Sequence, residues 1–228
     1  MERLRDKYAR LWAEAREHLA AGTYLPDPPP RHGEPRWGLS LVALVDGHVR
    51  EAVARDLGPI GDAVGAQHFV YRPNNLHLTI RSLEGYQDPI PAEQLDYYAA
   101  QVADAAGAAG QIEVDLTGLG GSRGGVFVCG YPNDGVVRLR ERLHELGSRR
   151  GPRGVPSNDY STMRDTAHVS LAVFQAPATP ERRIADFVAT RATTRYGKLK
   201  NPRLALVSYT LSTGSIEMNI LRTIETVK

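Results

Sequence analysis

Leu4, Tyr8, Leu11, Trp12, Ala15 and Leu19 recur at the spacing of one helix face. They predict an amphipathic helix over residues 3 to 21, ended by Gly22. Pro26, Pro28, Pro29, Pro30 and Pro35 exclude helix and sheet from residues 23 to 36. Residues 1 to 36 therefore read as an N-terminal helix on a stiff linker. The helix covers either its own domain or a partner. Residues 37 to 228 form the body.

The body shows one order of elements twice. Apolar runs predict strands at 37–45, 69–71, 76–83 and 112–116, with helical periodicity over 49–64 (a break near Gly58-Pro59) and 91–109. The order restarts with strands at 126–131 and 167–174, and helices at 134–149 and from Pro180 to about 196. On the helix at 134–149, Val137, Leu139, Leu143 and Leu146 make the apolar stripe. Strands at 204–211 and 216–224 close the chain around a Gly214-Ser215 hairpin turn. Strands and helices of the two series correspond at a nearly constant offset, which implies an internal duplication in the α/β or α+β classes. The halves are contributed by about 37–118 and 125–228, and two such lobes would face each other across a cleft.

Two short motifs sit at matching places in the repeat. Asn75-Leu76-His77-Leu78-Thr79-Ile80 and Ala167-His168-Val169-Ser170-Leu171 each carry a histidine and a hydroxyl residue two positions apart in an apolar strand. Side chains at i and i+2 of a strand share a face. So His77 and Thr79 project together, as do His168 and Ser170, while Leu78 and Val169 face a core. One such motif is weak, but the pair in register carries weight. Breaking a phosphodiester in line needs a base on the entering oxygen and an acid on the leaving one. Histidine serves either role near neutral pH. The two hydroxyls could meet charge building on the non-bridging oxygens.

The paired motifs, with Tyr71-Arg72-Pro73-Asn74-Asn75-Leu76-His77-Leu78-Thr79-Ile80 above all, resemble the 2H phosphoesterase superfamily. The nearest group is the bacterial 2′-5′ RNA ligase-like, or RNA 2′,3′-cyclic phosphodiesterase, proteins. The resemblance covers roughly residues 37 to 225. It implies an α+β bilobal fold, with two antiparallel-rich sheets facing a central cleft and helices outside. It implies metal-independent hydrolysis of a 2′,3′-cyclic phosphate or 2′-5′ linkage on a nucleotide or RNA end, with no cofactor. His77 and His168 would be acid and base, and Thr79 and Ser170 phosphate-binding. Members often carry an arginine shortly after the second motif, where this chain has Ala172, Val173 and Phe174. Arg81, with the strand parity of His77, is the nearby alternative. A nucleotide-binding module without turnover, and an enzyme recruited to another phosphate or biosynthetic substrate, remain open.

Four features extend the site. Tyr71 and Phe127 are candidates to stack a base. Residues 147 to 166 form a basic loop with Arg149, Arg150, Arg153 and Arg164, placed to hold phosphate or close over a ligand. His68 precedes the first motif and could support it. The Gly-rich run 118–125 opens no helix, so it reads as a turn and not a phosphate loop. Cys129 reads as a small buried apolar residue. No metal-binding pattern appears.

At 228 residues, 42% hydrophobic and 24% charged, the chain can bury a sizeable core. Its formal net charge of +2 supplies no general field for nucleic acid, so any such contact is local. The single cysteine excludes an internal disulfide. No apolar run approaches the roughly 20 residues of a membrane span, and the first residues lack a signal-peptide core. A cytoplasmic location is the default expectation.

Overall fold

The computed structural model describes residues 2–27, 29–34, 36–147, 163–175, 182–212 and 215–224. The elements run α1 (Glu2–Ala21), β1 (Ser40–Leu44), α2 (Gly47–Ala54), α3 (Leu57–Val64), β2 (Phe69–Val70), β3 (His77–Ser82), α4 (Ala92–Ala109) and β4 (Glu113–Ser122). They continue with β5 (Gly125–Pro132), α5 (Asp134–Gly147), β6 (Ala167–Val173), α6 (Arg182–Thr190), β7 (Arg195–Lys200), β8 (Leu204–Ser212) and β9 (Ser215–Ile224). Gly214, Pro180, Arg149, Arg150 and Arg153 lie outside the described residues, as does most of the basic loop.

The described strands join in an antiparallel sheet of order β7-β4-β5-β6-β3-β1-β8-β9, with β2 also paired to β6. The motif strands β3 and β6 meet at its centre through the pair Leu78↔Val169. Either side of that seam the order mirrors itself: β6-β5-β4-β7 against β3-β1-β8-β9. The expected contiguous halves are thereby exchanged. β4, which follows the first motif, joins the second half-sheet, and β8 joins the first. Both central strands also bulge three residues after their histidine, opposite Leu41/Val42 on β1 and Val126/Phe127 on β5.

Helices α2 to α6 cover one face. There Leu41, Leu78, Ile80, Val169 and Leu171 pack with Val53, Ile60, Val102, Leu139 and Ile184 in the main core. Leu78 and Val169 are fully buried, each worth about 1.5–3 kcal/mol of apolar transfer. Their burial fixes the strand parity that sends both histidines to the other face. The stripe of α5 is Val136, Leu139, Arg140 and Leu143, whereas Val137 is exposed. The predicted stripe was thus displaced by one position at its start.

On the opposite face, α1 lies against its own domain. Tyr8 clusters with Phe127 and Cys129 on β5, joined by Leu4, Leu11 and Tyr131. The linker is not a free spacer either. Tyr24 stacks on Phe174 at 4.3 Å, and the Leu25 and Asp27 amides donate to the carbonyls of Arg123 and Phe174.

Three local expectations change. Gly118–Ser122 belongs to β4 rather than to a turn. Gly118 (φ +77) makes the bulge, and a Cβ at Gly121 would stand 2.9 Å from the Trp12 ring, so Gly121 lets helix and strand approach. The helix predicted to about 196 stops at Thr190 and is followed by the edge strand β7. The break after β1 falls between α2 and α3 at Arg55-Asp56, with Pro59 in the first turn of α3, where its missing N–H costs little.

Candidate active site

The register Leu78↔Val169 sets His77 across from Ser170 and Thr79 across from His168. The two motifs thus form one four-residue patch spanning the seam, although they are 91 residues apart in sequence (77 to 168). His77 is buried and His168, Thr79 and Ser170 are half-buried.

Each ring is held differently. The turn Pro73–Asn75 presents the Asn75 carbonyl, 2.8 Å from His77 Nδ1. A carbonyl only accepts, so Nδ1 carries the proton and Nε2 faces outward as the acceptor. There it meets the Tyr209 hydroxyl at 3.1 Å. Tyr71 stands edge-on to the His77 ring at 5.7 Å. His168 packs on Phe127, with ring centres 4.6 Å apart, and its Nδ1 lies 3.3 Å from Thr166 Oγ1.

Positive charge surrounds the pair. Arg164 reaches the site from just ahead of β6 and donates to Ser82 Oγ at 3.3 Å. Arg36 approaches from the linker, paired with Asp27 and stacked over Trp37. Buried Arg140 ties the two motif strands together. Its guanidinium donates to the carbonyls of Ile80 (3.3 Å) and Thr79 (3.2 Å) on one side, and of Arg164 and Thr166 (both 2.9 Å) on the other. Burial lowers the His77 pKa to about 4; the Asn75 carbonyl pulls against it, and the Arg164 charge adds a lesser downward push. Burial lowers His168 to about 3, helped by Arg164, Arg36, Arg140 and then His77. Burial also pushes Tyr71 up to about 12. Both imidazoles are therefore neutral at pH 7, in a pocket whose fixed charge is positive. An arriving anion would lift both values. Among the described residues, no three His, Cys, Asp or Glu side chains converge as metal ligands would.

No family model matches the sequence, and no curated protein matches it significantly. Solved structures do match. TT0787 of Thermus thermophilus superposes with a TM-score of 0.60 at 19% identity, over 82% of this chain and 97% of that one. E. coli LigT in apo form gives 0.54 at 16%, over 84% and 98%. A protein described as a phosphoesterase gives 0.53 at 14%, over 84% and 99%. LigT has also been solved with ATP, 3′-AMP, NADP+ and phosphate.

The chain has the fold of LigT.

Within that fold, Tyr71, Phe127 and Arg164 stand beside the histidines. Arg81 does not, and its expected place in the cleft is corrected. The bulge makes Arg81 rather than Ile80 the partner of Leu41, so the strand's alternation slips there. Its guanidinium instead donates to the Leu143 carbonyl on α5. His68 is likewise remote from the dyad. It lies edge-on to Tyr24 and Phe174, and accepts from the Gln175 amide at 3.2 Å. The sequence reading missed Arg36, Arg140, Thr166 and Tyr209. Arg140 left a signal, since it interrupts the apolar stripe of α5. Tyr209 left another, as the polar-tipped member of the alternating set Ala205, Val207, Tyr209.

Proposed function

We propose that the chain is a phosphodiesterase acting on a 2′,3′-cyclic phosphate or 2′-5′ linkage of a nucleotide or RNA end, with His77 and His168 as its acid–base pair. The observation that carries this reading is the meeting of two pseudo-equivalent histidines across the β3–β6 seam, inside a ring of arginines. The solved complexes of LigT with nucleotides and phosphate add support.

The surroundings divide the roles. The Asn75 carbonyl favours the protonated form of His77, which suits the acid. His168 faces three guanidinium charges without such a carbonyl, which suits the base. His168 takes a proton from water as its oxygen bonds to phosphorus. The opposite P–O ribose bond breaks, and the leaving oxygen takes the Nε2 proton of His77, which enters this step doubly protonated, the form that the bound phosphate anion favours, with the Tyr209 hydroxyl displaced from Nε2. Thr79, Ser170 and Arg164 meet the charge on the non-bridging oxygens. Arg164, reaching in from the segment before the second motif, supplies the cation that relatives often place after it.

His77→Ala and His168→Ala should each lower kcat by about 10²–10⁴-fold on 2′,3′-cyclic mononucleotides, followed by phosphorus NMR. Full activity in either variant would refute the assignment. The Tyr209 contact, which occupies His77 Nε2, is what favours a second reading as a binding module without turnover. Tight nucleotide binding by the unmodified protein, with no product over hours, would select that reading.

A further inference from the structure

A second concave site adjoins the histidines. It is a groove of about 600 Å³ between the first turns of α1 and the start of α5, walled by Arg3, Lys7 and Arg10 on one side and Arg140 and Arg164 on the other, with Tyr131 beneath. Residues 3, 7 and 10 share one helix face. Among the described residues, the acids on its rim are Asp134 and Asp165, and Asp165 is paired with Lys7. Five cations against two acids leave a local excess of three (5 − 2), whereas the whole chain carries +2. Among the described residues, the exposed Arg3 and Arg10 have no acidic partner. The groove reaches the catalytic patch directly. Thr166 lines it and touches His168 Nδ1, and Arg164 lines it while acting on both histidines.

We propose that this groove binds the phosphodiester backbone of a single-stranded polynucleotide whose reacting end lies at His77 and His168. The inference rests on the phosphodiesterase reading and adds to it a backbone-binding site built on the N-terminal helix. A row of cations along about 10 Å of helix suits repeated phosphates better than one. Backbone contacts of this kind set affinity and carry no base preference. The N-terminal helix, lying outside the family resemblance, thereby becomes part of substrate recognition.

Calorimetry with 3′-phosphorylated uridine mono-, di- and tetranucleotides tests this on the intact protein, because these product-like probes need no turnover. The tetranucleotide should bind more tightly than the mononucleotide. If two phosphates are met, its affinity should fall about sevenfold between 50 and 200 mM salt. Arg3→Glu with Arg10→Glu, both at exposed positions, should bring the tetranucleotide-to-mononucleotide affinity ratio near one. Arg16→Glu, also exposed on α1 but outside the groove, should leave the ratio as it was. No length dependence in the unmodified protein, or a ratio that survives Arg3→Glu/Arg10→Glu, overturns the proposal. So does an acidic peptide of matched charge that binds as tightly as the tetranucleotide. Should the protein cleave no cyclic phosphate yet show the length dependence and its loss, the groove stands and the phosphodiesterase reading falls.

Discussion

Tyr8→Phe deletes one oxygen atom and tests whether α1 is structural. The Tyr8 hydroxyl donates to the Ala167 carbonyl at 2.7 Å, with the Gly130 carbonyl at 3.1 Å, and accepts from the Ala167 amide at 2.9 Å. Two of these backbone groups belong to Ala167 at the start of β6, one residue before His168, and the third belongs to its neighbour on β5. Phenylalanine keeps the ring contacts with Phe127 and Tyr131, both at 5.8 Å, so only polar terms change. A made bond contributes about 1 kcal/mol, and a buried N–H or C=O left unpaired costs about 1–3 kcal/mol. One donated and one accepted bond together predict a loss of about 2–4 kcal/mol. Urea unfolding followed by circular dichroism should show the midpoint falling by about 1 M for an m value near 2.5 kcal/mol/M. A change below about 0.5 kcal/mol, the range of an ordinary surface substitution, would refute the reasoning and make α1 a detachable cover.

Both site histidines titrate below the unfolded value of about 6.5, so the unfolded chain binds more protons as pH drops through that value. Stability contributed by the neutral rings should therefore be present above pH 6.5 and decline toward pH 4, by about 1–2 kcal/mol per ring between pH 7 and 5. Urea midpoints across that range test this, and a flat profile would contradict it. Tyr209→Phe removes a donor that favours neutral His77. It should move the corresponding limb of the kcat/KM profile upward by as much as about 0.7 pH unit, from about 1 kcal/mol, and an unmoved profile would show that the contact is irrelevant to turnover. Arg81→Met should leave KM for a cyclic nucleotide unchanged while lowering thermal stability slightly, because its guanidinium serves α5. A several-fold rise in KM would return Arg81 to the cleft.

The central pair of strands was legible because burial enforces alternation. Leu76, Leu78, Ile80, Val169 and Leu171 had to face a core, and the residues between them had to face away. That same rule misplaced Arg81, since a bulge breaks parity without any mark in composition. β7 escaped because Arg195-Tyr196-Gly197-Lys198-Leu199-Lys200 is an edge strand with few apolar positions to alternate. The glycines of β4 resembled a turn because what requires them is distant in sequence: Gly121 makes room for Trp12, on a helix about 110 residues away (12 to 121), and Gly118 lies against the Ala192 carbonyl. Arg36 and Tyr209 joined the site through tertiary contacts that no local pattern encodes. The exchange of β4 and β8 is likewise a property of long-range pairing.

That exchange bears on how the molecule comes into being. Ser40 on β1 pairs with Val207 on β8, 167 positions later in the chain (207 − 40). During synthesis β1 can pair with β3 early, yet one of its edges stays open until β8 has left the ribosome. An open edge of Leu41, Val42, Ala43 and Leu44 is a template for pairing between nascent chains. Closing it is a slow event of high contact order. The hazard is therefore greatest just before the last strands emerge, and chains truncated ahead of β8 should aggregate rather than yield a working half.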